Sequence, residues 1–365
     1  MRSPGLRIGK IRGVPIYLTP GWALITIVLL VIFTPTVARA LGLDLVPAAL
    51  VALGIPLLLA ASVLAHELAH GLTAQRLGIP VREYVLSLWG GHTSFHDEIG
   101  RPGASALVAA VGPLTNGVLA LVFTASASAV TSPAAALVLS AVAYTNIFVA
   151  VFNAVPALPM DGGRLLEALV WRVSADRDLG TLVAARVGQG VAVLVALVSI
   201  YLGALRDGQN WFTLIWGLMI ASVLWQGAVG AARVATARRA TRDVDLGAWA
   251  VPVTVLDQLA PITSLRGVDG GTAVLLAGPD GRPVAWVQPA AVQAVPQDAI
   301  ATTPLSAVAT ALPPEALLLT HTGSAAVAQL ARAARAGARF VVLVGLDGRA
   351  LGAVDIVEAS RRLPR

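Results

Sequence analysis

Cysteine is absent from the 365 residues, so neither a disulfide framework nor a thiolate metal site can form. Any metal must be held by His, Asp or Glu, and there are only five histidines: His66, His70, His92, His96 and His321. Charge is scarce as well. Charged residues make up 13% of the chain against 56% hydrophobic, with a mean hydropathy of +0.77, far from a soluble average. That balance excludes an ordinary soluble enzyme and points to a membrane protein. The formal net charge of +6 could suggest nucleic acid as a partner. The basic residues flank apolar runs, however, as at cytosolic membrane edges. The expected partner is therefore the lipid bilayer, and no nucleic acid.

What the chain has in quantity is long apolar runs. Six are visible, at 22–37 (extendable to 43), 46–76, 104–127, 134–155, 187–205 and 211–234. They predict a polytopic α-helical membrane protein with six transmembrane helices. Residues 1–21 read as an amphipathic lead-in on the membrane surface. Ala38-Arg39-Ala40 resembles a signal-peptidase site, but the Pro-containing leader is long for a signal peptide, so the first run is expected to be retained. Between the second and third runs, residues 81–103 are polar and alternate. Gly90-Gly91 there suggests a small membrane-associated β-hairpin or a bent edge strand.

Loop charge orients the spans. The N-terminal segment, the 76–101 and 161–186 loops and the 233–242 cluster carry fifteen basic residues, and the opposite loops carry only Arg39 and Arg206. The positive-inside rule then places both termini in the cytosol.

The second run is uncharged until His66-Glu67-Leu68-Ala69-His70. Residues four apart share a helix face, so His66 and His70 can present two imidazoles to one metal ion. Glu67 is then placed to take a proton from an activated water. Histidines merely satisfied in a helical core would leave Glu67, costly in a membrane, unexplained. The fourth run descends toward the same membrane face and delivers Asp161, the leading candidate for a third ligand; otherwise Asp161 is a turn residue before Gly162-Gly163. Two imidazoles and one carboxylate leave a zinc position open, as in catalytic sites. His92 and His96 are either alternative ligands or interfacial surface residues.

These residues resemble the site-2 protease family of intramembrane zinc metalloproteases. The likeness rests on HELAH within a span, Gly112-Pro113-Leu114-Thr115-Asn116 in the next, and Asn153-Ala154-Val155-Pro156-Ala157-Leu158-Pro159-Met160-Asp161-Gly162 later. It implies an endopeptidase of regulated intramembrane proteolysis. Such an enzyme cuts a single-pass transmembrane protein near the cytosolic side, an anti-sigma factor being one example, in a bacterial or archaeal plasma membrane. It further implies one Zn2+ held by His66, His70 and Asp161, with Glu67 as catalytic base. Asn153, Asn116, Gly90 and Gly91 are the implied substrate-binding residues, the two glycines lying in a hairpin whose edge can accept substrate as an added strand.

Beyond residue 242 the long apolar runs stop. Residues 273–287 (AVLLAGPDGRPVAWV) and 340–354 (FVVLVGLDGRALGAV) repeat at an offset of 67. Each reads as strand, Asp-Gly turn, strand, and two α/β half-modules packed as a pseudo-dimer are expected. The organisation predicted is therefore lead-in 1–21, membrane domain 22–242 and tail 243–365. The tail resembles a tandem pair of cystathionine-β-synthase-type (CBS) modules. That implies a regulatory domain, a route to a homodimer, and adenine-nucleotide binding. The usual Ser/Thr, then Asp three residues later, is replaced by Gln288 and Ala291 in one copy and by Asp355 and Glu358 in the other, which weakens the nucleotide expectation. A metal transporter with regulatory modules is the competing class, but it has no use for Glu67 and would tend to repeat its helices across two halves. An inactive scaffold would not need HELAH or Asp161 intact.

Overall fold

The computed structural model describes residues 5–87, 90–96, 99–206 and 210–363. The chain separates into two compact units, Met1–Ala235 and Thr236–Arg365. That division falls within the last turns of the sixth long helix, slightly ahead of the composition change at 242.

In the first unit, β1 (Leu6–Ile11) and β2 (Val14–Leu18) precede α1 (Gly21–Leu41) and α2 (Leu45–Arg76). Strands β3 (Val81–Ser87) and β4 (Gly90–Phe95) follow, then α3 (Pro102–Ala129), α4 (Pro133–Ala154), α5 (Asp161–Ser174), α6 (Arg177–Ile200, continued by a π-helical turn to Leu205) and α7 (Trp211–Ala240). All of these helices except α5 are long and apolar enough to cross a bilayer, six in number. The protein is thus a multi-pass membrane protein. Leu24, Val31, Leu50, Leu121 and Leu197 point outward, as side chains solvated by lipid do.

The lead-in folds differently from the amphipathic surface segment that its charges suggest. Arg12 and Gly13 both have positive φ (48° and 85°), the geometry of a tight two-residue hairpin. Ile11 therefore pairs with Val14, and Val14 and Ile16 turn inward onto Val81 and Tyr84. Strand β2 runs parallel to β3, from Ile16↔Tyr84 to Leu18↔Leu86, and β3 pairs antiparallel with β4. The sheet order is β1-β2-β3-β4, with β4 at an edge. Gly90 and Gly91 face Ser87 and Leu86, so they open β4; residues 88–89 lie outside the described residues. Gly71 of α2 leaves room for the Tyr84 ring, since a Cβ there would sit 2.2 Å from the tyrosine oxygen.

Helix α6 begins ten residues ahead of its apolar run, because its charged first turns are absorbed locally. Asp176 caps it by accepting from the Leu179 N–H (3.0 Å). Arg177 reaches back to Glu167 of α5 (3.2 Å).

The second unit has two sheets, β5 (Val253–Asp257) to β8 (Ala309–Ala311) in the order β5-β6-β7-β8, and β9 (Leu317–Leu318) to β11 (Ala350–Asp355) in the order β11-β10-β9. Between them in sequence are β6 (Ala273–Ala277), β7 (Pro283–Val287), α8 (Pro289–Gln293), α9 (Gly323–Arg335) and β10 (Phe340–Val344), with α10 (Ile356–Arg362) at the end. The sequence repeat is a repeat of geometry. In both copies a turn glycine takes positive φ, Gly281 at 77° and Gly348 at 79°. The hairpin is closed by Gly278 N–H to the Arg282 carbonyl in one copy and Gly345 N–H to the Arg349 carbonyl in the other. Each turn aspartate also accepts from the arginine N–H two residues on. One core surrounds Leu276 and Leu305, and another surrounds Leu330 and Val341. Between the sheets, Leu275 packs with Val342 and Val344.

Candidate metal centre

His66 and His70 sit one turn apart on the buried face of α2, where both rings are less than a tenth exposed. Their Nε2 atoms are 3.0 Å apart. Asp161 Oδ2 lies 3.2 Å from His66 Nε2 and 3.3 Å from His70 Nε2. Residues 95 positions apart in sequence thus meet at one point.

Asp161 is carried there by a wedge. The turn 155–160 is clamped against α6 and α7 at small residues: the Leu158 N–H donates to the Ala184 carbonyl (3.4 Å). A Cβ on Gly188 would press on the Leu158 carbonyl at 2.5 Å, and one on Gly227 would press on Pro159 at 2.7 Å. Met160 is buried against Ala192 and Leu224. Gly162 and Gly163 let α5 start directly against this turn, because a Cβ on either would strike backbone atoms of 154–158 within 2.4 Å. Asp161 is the first helical residue, with Met160 at the cap position.

The donor set identifies what the three groups can hold. His70 Nδ1 donates to the Val108 carbonyl (2.6 Å), and His66 Nδ1 donates to Asn116 Oδ1. Each ring therefore turns an Nε2 lone pair inward. Two lone pairs and a carboxylate oxygen converge with no proton donor among them, which is repulsive unless a cation joins them. N/O donors in this number suit zinc, and ring N–H groups held from behind are the usual support of its histidine ligands. Among the described residues this is the one such cluster, able to coordinate one zinc ion per chain. Gly112 of α3 makes it fit. A Cβ there would lie 2.4 Å from His70 Nε2 and 2.7 Å from His66 Cε1.

Glu67 stands beside the cluster without belonging to it. Thr93 Oγ1 of β4 donates to Glu67 Oε2 at 2.7 Å, with the Glu67 carbonyl at 3.0 Å as its alternative acceptor. Gly91 backs the same side chain, since a Cβ there would be 2.4 Å from Glu67 Cγ. A cavity of about 410 Å³ opens onto His66, Glu67, His70, Gly91, Thr93 and Asp161, lined also by Gly90, Phe148, Phe152 and Asn153.

Gly90, Gly91 and Asn153 therefore line the site, and Asn116 does not. It is 1% exposed and supports His66 from behind. His92 lines the cavity, but neither it nor His96 joins the metal cluster. Sequence reading missed Thr93, because a hydroxyl in a polar strand has no distinguishing spacing. It also missed Asn146 of α4, which bonds Asn116 (2.7 Å) and was visible as a carboxamide inside an apolar span.

The profile of Peptidase family M50 matches residues 55–136 and 127–199. Two curated proteins, each named a "putative zinc metalloprotease", resemble the chain. The one called sll0528, from Synechocystis, is 35% identical over 219 residues, covering 59% of this chain and 58% of that protein. Rip3 of Mycobacterium tuberculosis is 39% identical over 145 residues, covering 38% and 37%. The chain thus spans about half the length of the curated relatives it matches. Among solved structures, the site-2 protease from Methanocaldococcus jannaschii is similar at 24% identity and a TM-score of 0.43, over 63% of this chain and 95% of that one. The stretch that carries His66, Glu67, His70 and Asp161 lies within the residues that the profile of Peptidase family M50 matches.

Proposed function

We propose that the first unit is a zinc-dependent endopeptidase that cuts a peptide bond of a single-pass transmembrane protein within or beside the bilayer. The observation that carries this is the convergence of two imidazole lone pairs and one carboxylate on a membrane helix, with a carboxylate outside the ligand set held beside them. A transporter would need the first three groups and not the fourth.

When bound, zinc supplies Lewis acidity that polarises a peptide carbonyl and eases deprotonation of water. His66, His70 and Asp161 would hold it. Glu67 takes the proton from the attacking water and returns it to the leaving amine, and Thr93 fixes the carboxylate for both transfers. Strand β4 is at a sheet edge along the cavity. A substrate helix must unwind before its backbone can be attacked, and an added strand on β4 would satisfy the freed amides. Gly90 and Gly91 allow close approach, and Asn153 offers a carboxamide across the cavity. The loop charges support a cytosolic location for both termini and for the mouth of the site. A membrane-tethered regulator such as an anti-sigma factor fits this architecture as substrate.

The second unit is read as a tandem CBS-like regulatory module and a site of homodimerisation, supported by its duplicated hairpins. The positions that would meet a nucleotide have other partners: Asp355 caps α10 and pairs with Arg339, and Glu358 pairs with Arg362. A nucleotide is accordingly not part of the proposal.

The test compares wild type with Glu67→Gln in liposomes, measuring bound zinc and cleavage of a single-pass substrate. Equal zinc with cleavage reduced by roughly 10²–10⁴-fold supports the mechanism. Equal cleavage by both proteins removes Glu67 from it, and zinc flux across the vesicles without cleavage gives the transporter instead.

A further inference from the structure

We infer that Asn146 is a positioning residue for the metal centre, acting through Asn116 to fix the tautomer of His66. This rests on reading the triad as a metal site. Three polar side chains on three membrane helices form one chain behind His66, and all are essentially inaccessible: Ser62 at 2%, Asn116 at 1% and Asn146 at 0%. Buried carboxamides in a lipid-facing bundle are costly unless every group is paired, and here every step has a partner.

The direction of each hydrogen bond follows from fixed ends. Asn146 Nδ2 lies 2.9 Å from the Val142 carbonyl, which can only accept. It also lies 3.1 Å from Ser62 Oγ, whose own proton goes to the Leu58 carbonyl (2.9 Å). Both contacts require the amide nitrogen of Asn146 on that side, so its Oδ1 must face Asn116. Asn116 then donates through Nδ2 (2.7 Å) and turns its Oδ1 to His66. An oxygen there demands a proton on His66 Nδ1, and the lone pair is left on Nε2, facing Asp161 and His70. The polarity of a backbone carbonyl on α4 is thereby transmitted across two asparagine side chains to a metal ligand. His70 needs no such relay, because a main-chain carbonyl accepts from it directly.

The experiment is zinc affinity by chelator competition in the full-length, detergent-purified protein, for Asn116→Leu, Asn146→Leu and the double variant. Each single change is expected to weaken zinc by roughly 10–100-fold, the usual range for groups supporting metal ligands. The double variant should be no weaker than Asn116→Leu alone, since Asn146 acts only through Asn116. Affinity within about twofold of wild type for Asn146→Leu, or losses that multiply in the double variant, overturns the relay. Should Asn146→Leu fail to fold, ¹⁵N-histidine NMR of metal-free wild type at mildly alkaline pH decides. The relay requires the His66 proton on Nδ1, and a proton on Nε2 refutes it. Cleavage can survive a failed relay, so that outcome leaves the protease reading standing. Stoichiometric zinc in His66→Ala would sink the triad itself, and the relay with it.

Discussion

The two units of this chain solve opposite problems. Among the described residues, every buried polar or charged side chain, from Thr34 to Ser199, lies in the first unit, and none lies in the second. The first unit turns Leu, Val and Phe outward and hides His66, Glu67, His70, Asn116 and Asn146. The second hides Leu275, Leu276, Leu305 and Val342 and keeps ion pairs such as Arg339–Asp355 at its surface. Lipid solvates apolar groups as well as a protein interior does, so in the first unit polar groups gain most by burial against one another. In water the apolar groups gain most. A buried polar cluster is therefore where the membrane unit concentrates its specificity, and in the tail the hydrophobic core has that place.

Substitutions can break this contrast. In the tail, Leu276→Ala empties a fully buried position and should destabilise that unit by about 2–5 kcal/mol. Hydrogen exchange on tail peptides of the full chain would register it, while zinc content stays unchanged. In the membrane unit, adding volume is the damaging change. Gly112→Ala pushes a methyl into both imidazoles and should weaken zinc by roughly 10–100-fold, the usual cost of overpacking. Gly117→Ala on the same helix meets nothing within 4 Å and should bind zinc as wild type does. Thr93→Val keeps shape and removes one hydrogen bond to a carboxylate. Cleavage should fall about tenfold with zinc unaltered, and Thr93→Ser should restore it. The smallest effect is expected of Arg339→Ala, whose exposed ion pair should contribute less than about 1 kcal/mol to unfolding of the tail. A larger loss there would mean that surface charge supports the tail more than its core suggests.

The legibility of the two units differs for the same reason. Apolar run length announces a membrane helix, so five of the six spans could be placed within a few residues. The fifth could not, because the start of α6 is polar and is stabilised by the Asp176 cap and by Arg177 reaching Glu167. The pairing of β1 and β2 onto β3 was hidden too. Strands of five and six residues carry little periodicity, and arginine is an unusual residue for the positive-φ first position of a tight hairpin turn. His66, Glu67, His70 and Asp161 were readable because metal and proton chemistry restrict residue type and spacing together. Thr93 was not, since a hydroxyl in a polar strand becomes specific only through what it touches; Asn146 stood out as a carboxamide in an apolar span, but its partner Asn116 is a matter of packing.

The sequence by itself determined the apolar character of the first unit, the number of its long apolar runs, the duplicated hairpins and the residues of the His/His/Asp cluster. Each is a local matter of hydropathy, turn chemistry or spacing on one helix. The tertiary structure decided which groups face one another: Asp161 brought to α2 by a turn wedged on Gly188 and Gly227, Glu67 held by an edge strand, and His66 oriented from another helix by two asparagines. Those are contacts between distant segments, and packing, which no single stretch of sequence contains, settles them.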